Sequence, residues 1–118
     1  MSIQCERTKA FVATSAVTAL YRVKLTASSG TAVELSGSGE AAIGTAQNTA
    51  AAGEEVSVRL DNGGGTTKCV CAAAVTIGAA VYNAATGYVD DAAAGTSFGT
   101  ALDTATATGD VIEVLLAV

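Results

Sequence analysis

An internal repeat constrains the fold of this chain more than any other feature of its sequence. The same pattern occurs at residues 43–60 and again at residues 98–116. Each copy starts with Gly-Thr-Ala, continues as a small-residue loop closed by glycine and an acid, and ends in a run with apolar residues at alternate positions. Alternation of this kind is typical of a half-buried β-strand. Gly44 matches Gly99 at an offset of 55 residues, and the repeat predicts two copies of one β-unit.

A hairpin is expected before each copy of the unit. In the first half, Tyr21, Val23 and Leu25 alternate with polar residues, which predicts a strand with one apolar and one wet face. Turn residues follow that strand, and residues 33–35 form the returning strand. In the second half, residues 83–87 supply the corresponding turn at an offset of 57.

Small β-repeats usually build a closed or sandwiched antiparallel sheet, because closure removes unpaired strand edges. We therefore predict an all-β fold, a small antiparallel β-barrel or sandwich built from two similar units at about residues 21–60 and 76–116. A chain of 118 residues has room for one core, so residues 21–118 are expected to form a single β-domain. Residues 1–20 are predicted to be an extended N-terminal arm, since the first ten are polar and lack periodicity.

The glycine-rich stretch in the middle of the chain predicts a hairpin turn. Asn-Gly and Gly-Gly steps within residues 61–65 supply the positive φ angles that a hairpin needs. Residues 68–75 would then return as a strand. A phosphate-binding loop is excluded here, because it requires Gly-Lys-Ser/Thr in that order before a helix.

The residue types of catalytic and metal sites are scarce. The chain has no histidine, which removes the commonest general base and the commonest metal ligand. Two pairs of adjacent acids occur, at residues 54–55 and 90–91, but neighbours on a strand point to opposite faces and do not converge. We therefore expect no enzyme activity and no cofactor, and keep a carboxylate enzyme or a metal-binding module as an alternative.

Charge is distributed unevenly along the chain. Residues 1–24 hold four basic residues and one acid, whereas residues 25–118 hold two basic residues and ten acids. A basic arm on an acidic body suggests docking on an acidic partner surface; the alternative is a few solvated charges. The acidic body argues against nucleic-acid binding. No apolar run reaches the roughly 20 residues that span a bilayer, and no signal-peptide pattern is present, so we expect synthesis in a cytosol and no membrane partner.

Three cysteines are present, Cys5, Cys69 and Cys71. Two residues apart on one strand, the Cα atoms of the last two would lie about 6.5–7 Å apart, at the limit for an unstrained disulfide. A Cys-x-Cys pair without further ligands is a poor zinc signature. We interpret both as small buried residues of a reduced protein. The alternative is a pair of intersubunit thiols, with Cys5 bridging Cys69 or Cys71 of a neighbour.

Several short blocks of this sequence follow one another in an order that resembles a known protein family. They are residues 77–82, 85–89, 98–102 and 109–116 in the second half, and residues 43–46 and 52–58 in the first. In this order the chain resembles the small head decoration (capsid cement) proteins of tailed bacteriophages and prophages. The resemblance covers about residues 41–118.

The resemblance implies a structural virion protein that binds the outer surface of the phage head and stabilises the shell by bridging capsomers. Its partners would be the major capsid protein and its own copies, as a homotrimer, and its location the head exterior after synthesis in the host bacterial cytoplasm. Many modest contacts made at once would retain it on the shell. The capsid-docking arm would use Arg7, Lys9, Phe11 and Arg22. The alternative is another virion or surface β-module, such as a tail-tube, fibre or adhesin segment.

Overall fold

The computed structural model describes residues 8–26 and 30–117. Within these ranges the chain forms ten strands, with short 3₁₀ turns at Asp61–Gly63 and Ala85–Gly87. The strands are β1 (Thr8–Ala13), β2 (Arg22–Leu25), β3 (Ala32–Leu35), β4 (Gly44–Ala46), β5 (Glu55–Leu60), β6 (Thr66–Val70), β7 (Ala80–Asn83), β8 (Val89–Asp90), β9 (Gly99–Ala101) and β10 (Val111–Leu116).

Strands β1 to β5 form a closed barrel, called the first barrel below. Its strand order is β1-β3-β2-β4-β5, and β1 closes it by pairing with β5 antiparallel and with β3 parallel. Apolar side chains at alternate positions point inward, as Val56 and Val58 do on β5, and pack against Phe11, Val23 and Val33.

Strands β6 to β10 form a second sheet with the order β6-β10-β9-β7-β8. A single parallel bridge from Cys71 to Val89 joins its two edges. Strands β6 to β10 therefore correspond, in chain order, to strands β1 to β5 of the first barrel. The second sheet encloses its own core, which includes Cys69, Ile112 and Val114. The predicted all-β fold, with a barrel and two similar units, is confirmed.

The two units repeat individual backbone hydrogen bonds. The N–H of Gly53 donates to the carbonyl of Ala13 at 2.7 Å, and the N–H of Gly109 donates to the carbonyl of Cys71 at 2.8 Å. Both glycines have positive φ, which is inexpensive only for glycine. The duplication thus covers loops as well as strands.

The first glycine of each Gly-Thr-Ala motif lies against the last strand of its unit. A Cβ added to Gly44 would come 2.8 Å from Cγ1 of Val58, and one added to Gly99 would come 2.6 Å from Cγ1 of Val114. Gly44 pairs with Val23 on β2, while Gly99 pairs with Val81 on β7. Strands β2 and β7, which begin the hairpins of the two units, are therefore offset by 58 residues, whereas the turns that follow them predicted an offset of 57.

Each unit begins earlier than the sequence repeat suggested. Thr8–Ala13 form β1, and Phe11 is 5% exposed in the first core, so from Thr8 onward the chain belongs to the β-domain. The predicted boundary of the arm at residue 20 is wrong, because the pairing of β1 with β5 and β3 closes the barrel. Residues 1–7 of that arm lie outside the described residues.

The glycine-rich stretch is a connector between the two units rather than a hairpin turn. β5 pairs with β1 and β4, whereas β6 pairs with β10, so the strands on either side of residues 61–65 belong to different sheets. Gly64 and Gly65 both have positive φ, and the chain uses that freedom to pass from one sheet to the next. The other predicted turn is confirmed, since β7 and β8 pair antiparallel around Ala85–Gly87.

Candidate functional site

The contact between the two units, called the seam below, is centred on the side chain of Arg22. Its Nη1 and Nη2 donate to both carboxylate oxygens of Asp61, at 2.8 and 2.6 Å. Its Nε donates to Oδ1 of Asn83 at 2.9 Å, and Nη1 also donates to Oγ1 of Thr45 at 3.1 Å. The guanidinium carbon lies 3.8 Å from the centroid of the Phe98 ring. Arg22, Thr45 and Asp61 come from the first barrel and its connector, and Asn83 and Phe98 from the second sheet.

This arrangement gives the buried cation a full set of partners. Arg22 is 0% exposed, and a charge removed from water requires both an opposite charge and hydrogen bonds. The prediction that Arg22 docks on a capsid is therefore wrong. Alternation along β2 placed Arg22 on a wet face, but the second sheet covers that face.

Further contacts extend the seam beyond the arginine. The hydroxyl of Tyr21 donates to that of Tyr88 at 3.0 Å, and their rings meet edge to face at 5.0 Å. The hydrogen bond with Tyr88 raises the pKa of Tyr21 above its ordinary value. The N–H of Gly87 donates to the carbonyl of Ser36 at 2.8 Å. These bonds fix the two units relative to each other at several points.

The two described cysteines lie inside the second sheet. Cys69 and Cys71 are both 0% exposed and are not joined in a disulfide. Burial raises the pKa of Cys69 to about 12 and that of Cys71 to about 11. A buried, protonated thiol is unreactive, so the suggestion that either of them bridges to a neighbour is wrong. Cys5 lies outside the described residues.

One end of the first barrel is an open hollow of about 390 Å³. Its apolar wall, called the open end below, consists of Phe11, Leu25, Ile43 and Leu60, while the polar residues Lys9, Asp61 and Asn62 complete the lining of the hollow. Leu25 is 41% exposed, which is unusual for a leucine beside a core. Of the predicted docking residues, Lys9 is exposed and Phe11 is buried. Arg7 lies outside the described residues.

The second sheet exposes apolar side chains on its outside. Val111 is 48% exposed and Leu115 is 47% exposed, both on β10. Their counterparts on β5 of the first barrel are Glu55 and Arg59. This difference was not predicted, although aligning the two copies in the sequence places leucine opposite arginine and is enough to reveal it.

The acidic residues of the repeated loop stabilise the loop itself. Oε1 of Glu54 accepts the N–H of Ala51 at 2.8 Å, and Oδ2 of Asp110 accepts the N–H of Thr106 at 2.8 Å. The backbone N–H groups of Thr106 and Ala107 hold the pKa of Asp110 below its ordinary value. Across residues 8–26 and 30–117, no cluster of three or more potential metal-ligating side chains occurs. In the same ranges no helix has the length and apolarity to cross a membrane.

A comparison with known families identifies this architecture. The model of the phage cement protein family matches residues 6–116, which include every strand of both units. The chain belongs to the phage cement protein family. The resemblance drawn from the sequence blocks is thereby confirmed. This cement protein is a structural protein of the phage capsid, associated with the head of the virion.

Two further comparisons concern the cement protein as a whole. It has no match among curated proteins. Among solved structures, the head fibre gp8.5 N base of bacteriophage phi29 is similar, with a TM-score of 0.80 and 13% sequence identity. The match covers 93% of this chain and 92% of that chain. At this identity the similarity shows a common fold.

Proposed function

We propose that this cement protein binds the outer surface of the phage head and stabilises the shell by bridging capsomers. Its partners are the major capsid protein and further copies of itself, as a homotrimer, and it acts without catalysis. The family match over residues 6–116 carries this proposal, because it spans both units rather than one isolated motif. Repetition over the shell turns contacts of modest affinity into stable retention.

The seam supports the bridging role. A protein that holds two capsomers at a fixed separation must itself resist deformation between its two contact points. Here the two units are joined by a buried ion pair and by hydrogen bonds from Arg22 to Thr45 and Asn83.

We further propose that the N-terminal end contacts the capsid through Arg7 and Lys9. Lys9 is exposed at the start of β1, whereas Lys24 is held by Glu40 at 2.7 Å and by Glu34 at 3.8 Å. Among the described residues Lys9 forms no ion pair, and a cation without a partner matches an acidic surface better than Lys24, which is already paired. The contribution of Lys9 should weaken as salt increases.

Imaging of heads mixed with the purified protein tests the main proposal. Expanded, undecorated heads are incubated with the protein, separated from unbound chains and examined by electron microscopy. Added density on the outside of the shell, with greater resistance to heat or shear, is the expected result. Intact heads without added density would refute the proposal.

A pair of charge reversals tests the docking residue. Lys9→Glu and Lys68→Glu change the net charge equally, and both lysines are exposed on the first strand of a unit. We expect only Lys9→Glu to weaken head binding, by about tenfold at physiological salt if one charge-assisted contact is lost. A truncation should remove residues 1–7 only, because β1 begins at Thr8. Equal loss in both lysine variants, or full binding after truncation, would contradict the proposed role.

The fold similarity to a head fibre base favours a second candidate. In that case the chain would be a fibre or other virion β-module that projects from the particle, rather than a bridge between capsomers. The same images separate the two, because a bridge contacts two capsomers whereas a fibre base stands on one site. A tail-tube module would instead assemble into rings or tubes without heads.

A further inference from the structure

The open end of the first barrel has a counterpart in the second sheet that is already occupied. Phe11 pairs with Val56, as Cys69 pairs with Ile112, so Phe11 and Cys69 hold the same place in the two units. The other corresponding residues follow from the strand registers in the same way. The counterpart pairs are Phe11 and Cys69, Leu25 and Asn83, Ile43 and Phe98, and Leu60 and Leu116. In the second sheet, this end binds Arg22 through Asn83 and Phe98. In the first barrel, the same end is the open hollow.

The group that occupies the end of the second sheet is the outer face of the first barrel. That face consists of Arg22 on β2, Thr45 on β4 and Asp61 after β5, and the first two are 0% exposed. The seam is therefore heterologous, because the face of one unit packs on the end of the other. Such a contact leaves one end and one face unused.

The unused face lies on the second sheet and is uncharged. It is formed by the exposed residues Ala80, Thr100 and Leu115, called the neutral face below, and Ala117 continues it to the edge of the seam. Their counterparts in the first barrel are Arg22, Thr45, Arg59 and Asp61.

The neutral face and the open end are both less polar than the two surfaces that meet in the seam. In the seam, a cation and its carboxylate meet an amide and an aromatic ring. In the unused pair, Ala80 and Ala117 replace the charged residues of the face, while Leu25 and Ile43 replace Asn83 and Phe98 of the end. An apolar end would leave a buried arginine without partners, whereas it suits a small neutral face. The two unused surfaces therefore match each other chemically.

We propose that the open end of the first barrel binds the neutral face of a second copy of this chain. The contact repeats between chains the face-to-end packing that the seam makes within one chain. Head-to-tail contacts of this kind close into a ring when the rotation between copies allows it, and extend into a filament otherwise. The inference rests on the self-association part of the proposed function and supplies the surface through which the copies of a homotrimer would meet.

Thiol cross-linking between two single variants tests the contact. Leu25→Cys and Ala80→Cys are prepared separately on a Cys5→Ser background, mixed in equal amounts and treated with a bis-maleimide that has a reducible disulfide spacer. A spacer is used because the Arg22 side chain spans more than a direct disulfide can. These positions correspond to Asn83 and Arg22, which are bonded at 2.9 Å in the seam. Both native side chains are exposed, so neither change disturbs a core.

The matched control replaces the second partner. Val111→Cys is as exposed as a neutral-face residue, but its counterpart Glu55 is exposed and lies away from the seam. We expect at least about tenfold more reducible heterodimer from Leu25→Cys with Ala80→Cys than from Leu25→Cys with Val111→Cys, since docking raises the effective thiol concentration. Equal yields, no heterodimer in either mixture, or the same yield from either variant alone would overturn the proposal.

Head binding is measured separately with the same proteins. Undecorated heads in the imaging experiment together with specific cross-linking would refute the proposed function and leave the copy-to-copy contact standing. Decorated heads without specific cross-linking would refute the contact alone. Sedimentation velocity on Leu115→Glu against Val111→Glu gives a second measurement, and only the former should reduce self-association.

Discussion

Replacing Arg22 by alanine is expected to lower the free energy of unfolding by about 3 kcal/mol, near the lower end of the range for breaking a buried ion pair. The side chain is 0% exposed and donates to three side chains while packing on an aromatic ring. Its removal leaves the buried side chains of Asn83 and Thr45 without this donor. The loss stays near the lower end because the Asp61 side chain is 20% exposed and water can hydrate its carboxylate.

Urea denaturation followed by circular dichroism measures this change, with Arg59→Ala as the matched control. Among the described residues, Arg59 donates to the backbone carbonyls of Leu60 and Gly64, at 3.3 and 2.7 Å. Its replacement should cost about 1–2 kcal/mol, because two part-buried hydrogen bonds are lost and each has a net value of about 0.5–1.5 kcal/mol. Arg22→Lys should recover little of the stability, because an ammonium cannot form the two-pronged contact with Asp61.

A double-mutant cycle isolates the ion pair from the rest of the seam. Arg22→Ala and Asp61→Ala remove groups in direct contact, so their effects should be non-additive by about 1–3 kcal/mol. A loss below about 1 kcal/mol for Arg22→Ala, or additive effects in the cycle, would refute the reasoning that this network holds the two units together.

Three further predictions follow from the packing of the two units. Gly44→Ala and Gly99→Ala should each lower the free energy of unfolding by about 1–3 kcal/mol through overpacking, measured by urea denaturation, and similar losses are expected because the positions are counterparts. Alkylation at pH 8 should leave Cys69 and Cys71 unmodified in the folded protein and label both after denaturation, as mass spectrometry of peptides would show. The pKa of Asp110 is lowered in the folded state, so its stabilising effect is present above the ordinary carboxyl pKa of about 4 and is lost as pH falls through the folded-state pKa; Asp110→Asn should flatten this acid-side loss in thermal melts.

The repeated strands were predictable from sequence because their causes are local. Alternation of apolar residues on β5 and β10 reflects which side of the strand meets the core, and this shows directly in the order of residues. Gly44 and Gly99 recur because a close backbone approach leaves no room for a Cβ. Both signals are strong within a few residues, so the units at 43–60 and 98–116 stand out.

The correspondence between the first strands of the two units escaped detection for the opposite reason. β1 and β6 are counterparts in pairing, yet Phe11 and Ala13 correspond to Cys69 and Cys71. An aromatic residue and a thiol fill comparable places in two differently packed cores. The equivalence therefore lies in the register with β5 and β10, which only the folded chain reveals.

Arg22 escaped detection because its environment is created by a distant part of the chain. Periodicity along β2 assigns faces relative to one core, and it carries no information about a second sheet that covers the other face. The partner Asn83 is 61 residues away, and the carboxylate of Asp61 comes from a connector that resembled a hairpin turn. The local alternation of polar and apolar residues therefore cannot indicate that tertiary packing buries a charge.

Comparing the two copies with each other reveals more than comparing either copy with a general pattern. Two units with one backbone can keep the same residues wherever their surroundings are the same. A face-to-end contact makes the surroundings differ, and there the chemistry separates: arginine against alanine at 22 and 80, and asparagine against leucine at 83 and 25. These differences fall on the seam and on the two unused surfaces. Within the face and the end that form the seam, the positions at which the two copies differ in charge or polarity are therefore the positions at which to look for partners.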